Sequence, residues 1–474
     1  MGQFSFSFSL LLIVLFCYVV LSLSRVKAIE PGKLMLLGWV PGLVLLSSGV
    51  IVYHQTFTFE TFMLIAMSLV FFTVGAAIGT NVIRAGAVTE AQRAQLSGGT
   101  TINPFIKMTL IVLSLIYVAI MTYETATSPA SFLRQGLGGL GSARETQLAL
   151  KSAESGDVGL LGLIKAISRS GAIYLVLCVL LMTAKRENAL RGIIIVSMIM
   201  FALEGLSTGG RSNIVFMAVF LAIAYALKRS RVSIGRQKNI IFKLGRSPIK
   251  IWHVGLGGLL AYFTFVIFPA SRNAHKIGLL DRYLNFRHPS EFGAWVGALP
   301  DAGIGGSLKF FFYGTGYFSH SITKLDFFIE NDIITQSYSF GFFNLKILVR
   351  LASIANEGLF FRWLQMRRNI GEVLAHNSMS SNPWSPLLRD LIIDFGLVGC
   401  VIVMFFLGLT FQYLFRRLMV STKPHMTALA VILCSICAVS GSFGPFINNK
   451  LAFPLFLVLI LAGISFLLTR VTRR

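Results

Sequence analysis

Residues 391–415 read LIIDFGLVGCVIVMFFLGLTFQYLF. A single charged residue, Asp394, interrupts an otherwise largely apolar run, with Arg389 and Asp390 just before it and Arg416 and Arg417 just after. At ~1.5 Å of rise per residue, a helix of this length crosses the ~30 Å hydrocarbon core of a bilayer. The stretch reads as a membrane-spanning helix.

Similar runs lie at 6–23, 34–52, 62–82, 105–123, 160–183, 190–206, 214–227, 252–269, 427–442 and 451–468, which gives about eleven spans by the length criterion. The composition agrees. Of 474 residues, 55% are hydrophobic and only 13% charged, and the mean hydropathy is +0.75, far too apolar for a soluble globule. The expected fold is an all-α integral membrane bundle. Residues 1–270 carry spans one to eight, 271–388 form one large polar loop, and 389–474 carry spans nine to eleven.

Orientation follows from Lys and Arg, because short basic loops resist translocation. Alternate connections hold Arg25, Lys27 and Lys33; Arg84 and Arg93; Lys185, Arg186 and Arg191; a dense run from Lys228 to Lys250; Arg416, Arg417 and Lys423; and Arg470, Arg473 and Arg474. An odd number of spans then puts the N-terminus and the 271–388 loop outside and the C-terminus in the cytoplasm. The first span lacks a basic n-region, and its positive charges follow it, as in an uncleaved anchor. The net charge of +23 is accounted for by these loops and their contact with anionic lipid headgroups. Nucleic acid is not an expected partner.

Cys17, Cys178, Cys400, Cys434 and Cys437 all fall within spans. Cys434 and Cys437 form a C-x-x-C without a second Cys or His pair, so neither a disulfide framework nor a metal site is expected. No internal repeat, Walker motif or dinucleotide fingerprint is present. The GLGGLG at 136–141 follows a polar loop, not a strand.

Chemistry is expected in and beside the large loop, which holds His275, His288, His320 and His376 together with many arginines. Charges near the spans carry further information, since an ionisable group at depth needs a partner or a cavity. Lys165 and Arg169 are one helical turn apart near the outer end of the fifth span, and such a pair either brackets an anion or snorkels to the headgroups. Residues 207–213, STGGRSN, form a short hairpin one turn after Glu204. Arg211 beside the next helix N-terminus makes an anion site suited to phosphate, or it pairs with Glu204 to close the turn.

After the loop come His376-Asn377, Asn382-Pro383-Trp384-Ser385-Pro386, Arg389-Asp390 and Asp394-Phe395-Gly396-Leu397-Val398-Gly399. A Gly-Gly-Arg-Ser hairpin at an outer face, a large outer loop, and a closing Asn-Pro-aromatic-Ser followed by Asp-Phe-Gly-x-x-Gly resemble the O-antigen polymerase (Wzy-type) family of oligosaccharide repeat unit polymerases. The topology of the whole chain takes part in the resemblance, but the motifs cover only 207–214 and 376–399. The related O-antigen ligases have a His-Asn pair before the helix that follows their loop. The gap from His376 to Gly399 is longer here, which favours the polymerase.

The resemblance implies a GT-C-like fold and a metal-independent, inverting glycosyl transfer at the outer face of the cytoplasmic membrane, with no cofactor. A glycan carried on undecaprenyl pyrophosphate moves onto a sugar hydroxyl of an incoming lipid-linked repeat unit. Implied partners are that lipid-linked oligosaccharide, membrane lipids, a chain-length regulator and a flippase. Because pyrophosphate is already a good leaving group, binding and charge stabilisation by arginines suffice. The candidate ligands are Arg211, Lys165, Arg169, Arg272, Arg287 and Arg350. Arg362, Arg367 and Arg368 are spaced like one face of an amphipathic helix on the membrane. His376 is the candidate base for the acceptor hydroxyl, against a purely structural loop histidine. Asp394 is a second catalytic candidate, against a charge placed at a helix start for the dipole. A lipid-linked oligosaccharide transporter would also need an arginine-lined cavity, yet transporters usually show repeated halves and midplane charges.

Overall fold

The computed structural model describes residues 1–24, 26–27, 29–54, 56–82, 104–127, 160–181, 188–207, 212–236, 290–301, 303–331, 344, 348–349, 352, 357–376, 386–420, 424–442, 444, 452–457 and 460–461. In order, these form α1 (Gln3–Leu23), α2 (Pro31–Ser47), β1 (Ile51–Tyr53), α3 (Phe59–Val82), α4 (Pro104–Thr127), α5 (Leu160–Leu181), α6 (Asn188–Ser207), α7 (Ser212–Arg236) and β2 (Ser290–Phe292). A single turn at Ala294–Gly297 precedes α8 (Gly303–Thr315), α9 (Tyr317–Glu330), α10 (Glu357–His376), α11 (Leu387–Val420) and α12 (Pro424–Val439). Among the described residues, five helices are long and apolar enough to cross a membrane: α1, α3, α4, most of α5 and most of α11. Shorter apolar helices occupy Pro31–Ser47, Asn213–Lys228 and Met426–Val439. The expected span at 252–269 lies outside the described residues, as does most of that at 451–468.

The chain divides into two compact units: Met1–Arg84 with His275–Arg416 and Ile436–Ala452, and Ala85–Ala274 with Arg417–Ser435 and Phe453–Arg474. In the first unit, helices approach through residues without side chains. Gly75 and Gly79 of α3 lie against the backbone of Phe405 and Leu409 on α11, and Gly408 of α11 lies against the Phe72 carbonyl. Small residues are what allow membrane helices to pack backbone to backbone where no hydrophobic force separates helix from lipid. Gly408→Val would drive a branched side chain into the α3 backbone. A loss of at least about 1–3 kcal/mol is expected from overpacking, read as a lower unfolding temperature of purified protein, while Val403→Ala should change little.

The same unit contains a two-stranded antiparallel sheet with Ile51 opposite Phe292 and Tyr53 opposite Ser290. It ties the α2–α3 connection to the 271–388 segment, two stretches expected on the same side of the membrane. At the other end, Glu30 from the α1–α2 connection pairs with Arg416, again joining stretches expected to share a side.

Two features differ from expectation. The 271–388 segment is not simply a polar excursion, because α9 is buried over nearly its whole length and packs on α2 and α3. Gly42 of α2 faces the Phe318 carbonyl directly. The polar residues of α9 hid this, and the structure satisfies them internally: Ser321 Oγ donates to Gly441 O at 3.1 Å, and Asp326 Oδ1 accepts from Thr58 N at 3.0 Å and Thr58 Oγ1 at 2.8 Å. The expected amphipathic helix does form as α10, but Trp363 is buried while Phe361 and Arg362 are exposed, so its indole faces protein.

The ninth span also begins earlier than expected, at Leu387, and is interrupted. Gly396 has φ 70° and ψ −177°, a conformation essentially restricted to glycine. The break falls inside the Asp-Phe-Gly segment.

In the second unit, α5 packs against α4, α6 and α7. Gly171 of α5 lies against Leu113 of α4. Val176, Leu190 and Ile194 form a buried apolar cluster to which Ile111 and Leu221 add.

Candidate functional site

The first unit holds a buried charged seam where α9, Asn344 and the start of α11 meet. Arg389 donates to Asp390 Oδ1 from Nη2 at 2.8 Å and from Nε at 3.1 Å. Its guanidinium stands 5.6 Å from the centroid of the Phe328 ring, a cation–π arrangement that strengthens away from water. One turn further on, Asp394 Oδ2 accepts from Asn344 N at 2.9 Å and from Asn344 Nδ2 at 2.6 Å. The same Nδ2 donates to Asp390 O at 2.8 Å. Arg389, Asp390 and Asp394 are all buried, and such groups persist only when paired and hydrogen-bonded. Asp394 stands two residues before the break at Gly396, where a second helical segment starts, so the amides of that segment lie close in sequence to its charge.

A second polar group in this unit centres on His320. Ser319 Oγ donates to Gly316 O at 3.0 Å, so its single proton is committed there. Tyr53 Oη lies 2.7 Å from Ser319 Oγ and 3.0 Å from His320 Nδ1. Burial raises the Tyr53 pKa, opposed by the hydrogen bond to Ser319, so the phenol stays protonated. The Tyr53 hydroxyl thus bridges Ser319 and His320 Nδ1, and the direction of its bond to the imidazole follows the imidazole's tautomer. Lys324 follows His320 at one helical turn and Phe328 follows Lys324 at another, which places an imidazole, an ammonium and the Arg389-capped ring along one face of α9.

The second unit contains a compensated ion cluster. Arg169 Nη1 pairs with Glu204 Oε1 at 2.9 Å, and Tyr117 donates its hydroxyl to Glu204 Oε2 at 2.9 Å. Lys165 pairs with Glu124 and lies 3.9 Å from Glu204 Oε1. Asn213, at the start of α7, donates from Nδ2 to Phe201 O at 3.1 Å and to Glu204 Oε2 at 3.4 Å. The like charges on successive turns of α5 are thus held by carboxylates from neighbouring helices. Two cations meet two carboxylates, and a pyrophosphate arriving here would compete with Glu124 and Glu204.

Of the candidates from sequence, Asp394, Lys165 and Arg169 are placed in these two clusters. His376 is the last residue of α10, and its side chain lies outside the described residues, as do Arg211, Arg272, Arg287 and Arg350. Glu204, considered as a partner for Arg211, is engaged by Arg169 and Tyr117. Among the described residues, no three His, Cys, Asp or Glu side chains lie together as a metal ion would need. No family model, curated protein or solved structure matches this chain.

Sequence reasoning did not single out Tyr53, Asp326, Lys324, Asn344 or the internal bonding of His320. A signal existed for α9, since residues 310–329, FFFYGTGYFSHSITKLDFFI, are aromatic and apolar enough to bury. Asn344 had none, because only the fold brings it to Asp394.

Proposed function

We propose that this chain is a glycosyltransferase of the bacterial inner membrane that polymerises lipid-linked oligosaccharide repeat units. In this reading the bundle has about eleven spans and a GT-C-like plan, with the N-terminus outside and the C-terminus in the cytoplasm. The hydroxyl of an incoming repeat unit attacks the anomeric carbon of a glycan carried on undecaprenyl pyrophosphate. The carbon–oxygen bond to pyrophosphate breaks with inversion, and the hydroxyl proton passes to a base, for which His376 and Asp394 are the candidates. Arg211, Arg272, Arg287 and Arg350 stabilise the charge that grows on the pyrophosphate.

The observation that carries the reading is the seam between the 271–388 segment and the broken helix α11. Asn344 and Phe328 from that segment meet Arg389, Asp390 and Asp394 next to Gly396, in the motif that resembles the polymerase family. Buried ionisable groups and an interrupted membrane helix mark functional places, because each is costly and persists only with compensation. The β1–β2 pairing supports it by tying the segment to the α2–α3 connection.

The test is the glycan profile of a deletion strain. Single repeats still attached to their final carrier, with long chains lost, would agree; loss of all attachment would point to a ligase or flippase. A residue-level expectation concerns Arg211. Arg211→Lys keeps the charge but loses the planar fork that grips two phosphate oxygens, so polymer should fall sharply at normal membrane abundance. Unimpaired polymer in that variant would remove the phosphate clamp.

A further inference from the structure

Helix α8 presents its apolar face outward and its charge inward. Lys309, the one charged residue of the helix, is buried, and its Nζ donates to Asp301 Oδ1 at 2.8 Å. The opposite face carries Ile304 and Leu308, which are exposed, and Phe311 and Phe312, which are half-buried. These positions are i, i+4, i+7 and i+8, the spacing of one helical face, with Ser307 at its edge. Ile304 is 83% exposed. Trp295, in the single turn before α8, is 52% exposed and packs edge-on to Phe312 with ring centroids 5.4 Å apart, which extends the face by an indole. Against water, a buried ammonium and a bare apolar face are both unfavourable. Against hydrocarbon the apolar face becomes favourable, and Asp301 offsets the burial of the lysine.

The fold holds this face near a membrane boundary. Gly293, two residues before Trp295, donates its N–H to Val50 O at 2.9 Å. Gly316, directly after α8, lies so close to Ile51 that a Cβ there would stand 2.7 Å from Ile51 Cδ1. Val50 and Ile51 belong to the connection between α2, which ends at Ser47, and α3, which starts at Phe59 and is long and apolar enough to cross a membrane. Both ends of the α8 segment are therefore pinned beside the place where α3 enters the bilayer. The 13 residues of α8 rise about 20 Å, short of the ~30 Å hydrocarbon core, so the helix does not cross it.

We propose that α8 and the Trp295 turn lie in the bilayer interface, with Trp295, Ile304, Leu308, Phe311 and Phe312 set among the acyl chains of phospholipid. Interfacial helices bury such a face about 5–10 Å into the headgroup and acyl boundary. An indole suits that depth, because its ring is apolar and its N–H polar. Part of the 271–388 segment, expected as a polar loop in water, is then a membrane anchor that sets the height of α9 and of the Phe328 ring it brings to the seam. The anchor is independent of the glycosyl transfer proposed above.

The test is spin-label accessibility in the full-length protein reconstituted in phosphatidylcholine vesicles. Nitroxides are attached at Ile304→Cys and Leu308→Cys, with Glu291→Cys, exposed on β2, as the water-facing control. The native cysteines are all buried, and the unsubstituted protein supplies the blank. Labels at Ile304 and Leu308 should collide with oxygen, which concentrates in hydrocarbon, several-fold more often than with a water-soluble nickel chelate, and the label at Glu291 should show the reverse order. Nickel-dominated relaxation at Ile304 and Leu308 would place the face in water and overturn the proposal. So would protection of both labels from both reagents. Dipolar broadening that fades on dilution with unlabelled protein would then assign the face to a second copy of the chain, and protection unchanged by dilution would assign it to another segment of the same chain.

Discussion

Glu204→Leu should destabilise the protein by about 3–5 kcal/mol, because it leaves Arg169 buried without its carboxylate. The side chains of Arg169 and Glu204 are 8% and 7% exposed, so water cannot take over the lost partner. Arg169→Met should cost a similar amount for the mirror reason. Combined, the two should not add. An apolar pair of similar volume replaces a buried ion pair at little or no cost, and the remaining penalty is mainly the Tyr117 hydroxyl, which loses its acceptor at about 1–3 kcal/mol, with the longer bond from Asn213 Nδ2 lost as well. Tyr117→Phe in the same background should recover most of that. Unfolding of the purified single, double and triple variants in one detergent gives the cycle. Single-variant losses below about 1 kcal/mol, the range of exposed pairs, would show that the cluster is hydrated and not buried as described. The triple variant has a second use. If it is stable and a strain carrying it still makes long glycan, then Arg169 serves architecture and is not needed to hold pyrophosphate.

The helices were legible because their signal is local. The expected spans that fall on described residues, from 6–23 through 427–442, each overlap a helix, since apolar length carries most of the signal, although the one at 34–52 ends as a helix at Ser47 and gives way to β1. Charge at short range was partly legible too: the i, i+4 spacing of Lys165 and Arg169 required an anion or an escape to the headgroups, and the structure supplies Glu124 and Glu204. The identity of those anions was not readable, because α4 and α6 meet α5 only in the fold. The same holds for Asn344, fifty residues before the Asp394 it serves. Composition misled in the 271–388 segment, where the many charged residues averaged out the apolar face of α9. What that average concealed is a helix whose Ser, Thr, His and Asp side chains bond inward while Ile322, Leu325 and Phe328 fill space. Gly396 was visible as a residue, but its positive φ was not, since glycine adopts either sign of φ about equally.

The seam and the loop histidine lead to different expectations for the two catalytic candidates. If His376 accepts the proton of the attacking hydroxyl, His376→Ala should lower turnover by roughly 10²–10⁴-fold, while lipid-linked substrate still binds through the arginines. A histidine that only orders the end of α10 would allow His376→Gln to keep much of the activity. Asp394 is committed to two donors on Asn344, and Asp394→Asn retains a carbonyl oxygen able to accept both. A positioning role therefore predicts substantial activity in Asp394→Asn and loss in Asp394→Leu, whereas a base would be lost in both. The assay is polymer formation by purified enzyme from a defined undecaprenyl-pyrophosphate repeat unit, with and without EDTA. Near-wild-type polymer from His376→Ala and His376→Gln would remove His376 from the chemistry, and inhibition of the wild type by EDTA would contradict a metal-independent transfer. Should both His376→Ala and Asp394→Asn remain active, His320 becomes the next base to test, because it is a buried imidazole bonded to Tyr53 in the same unit as the seam.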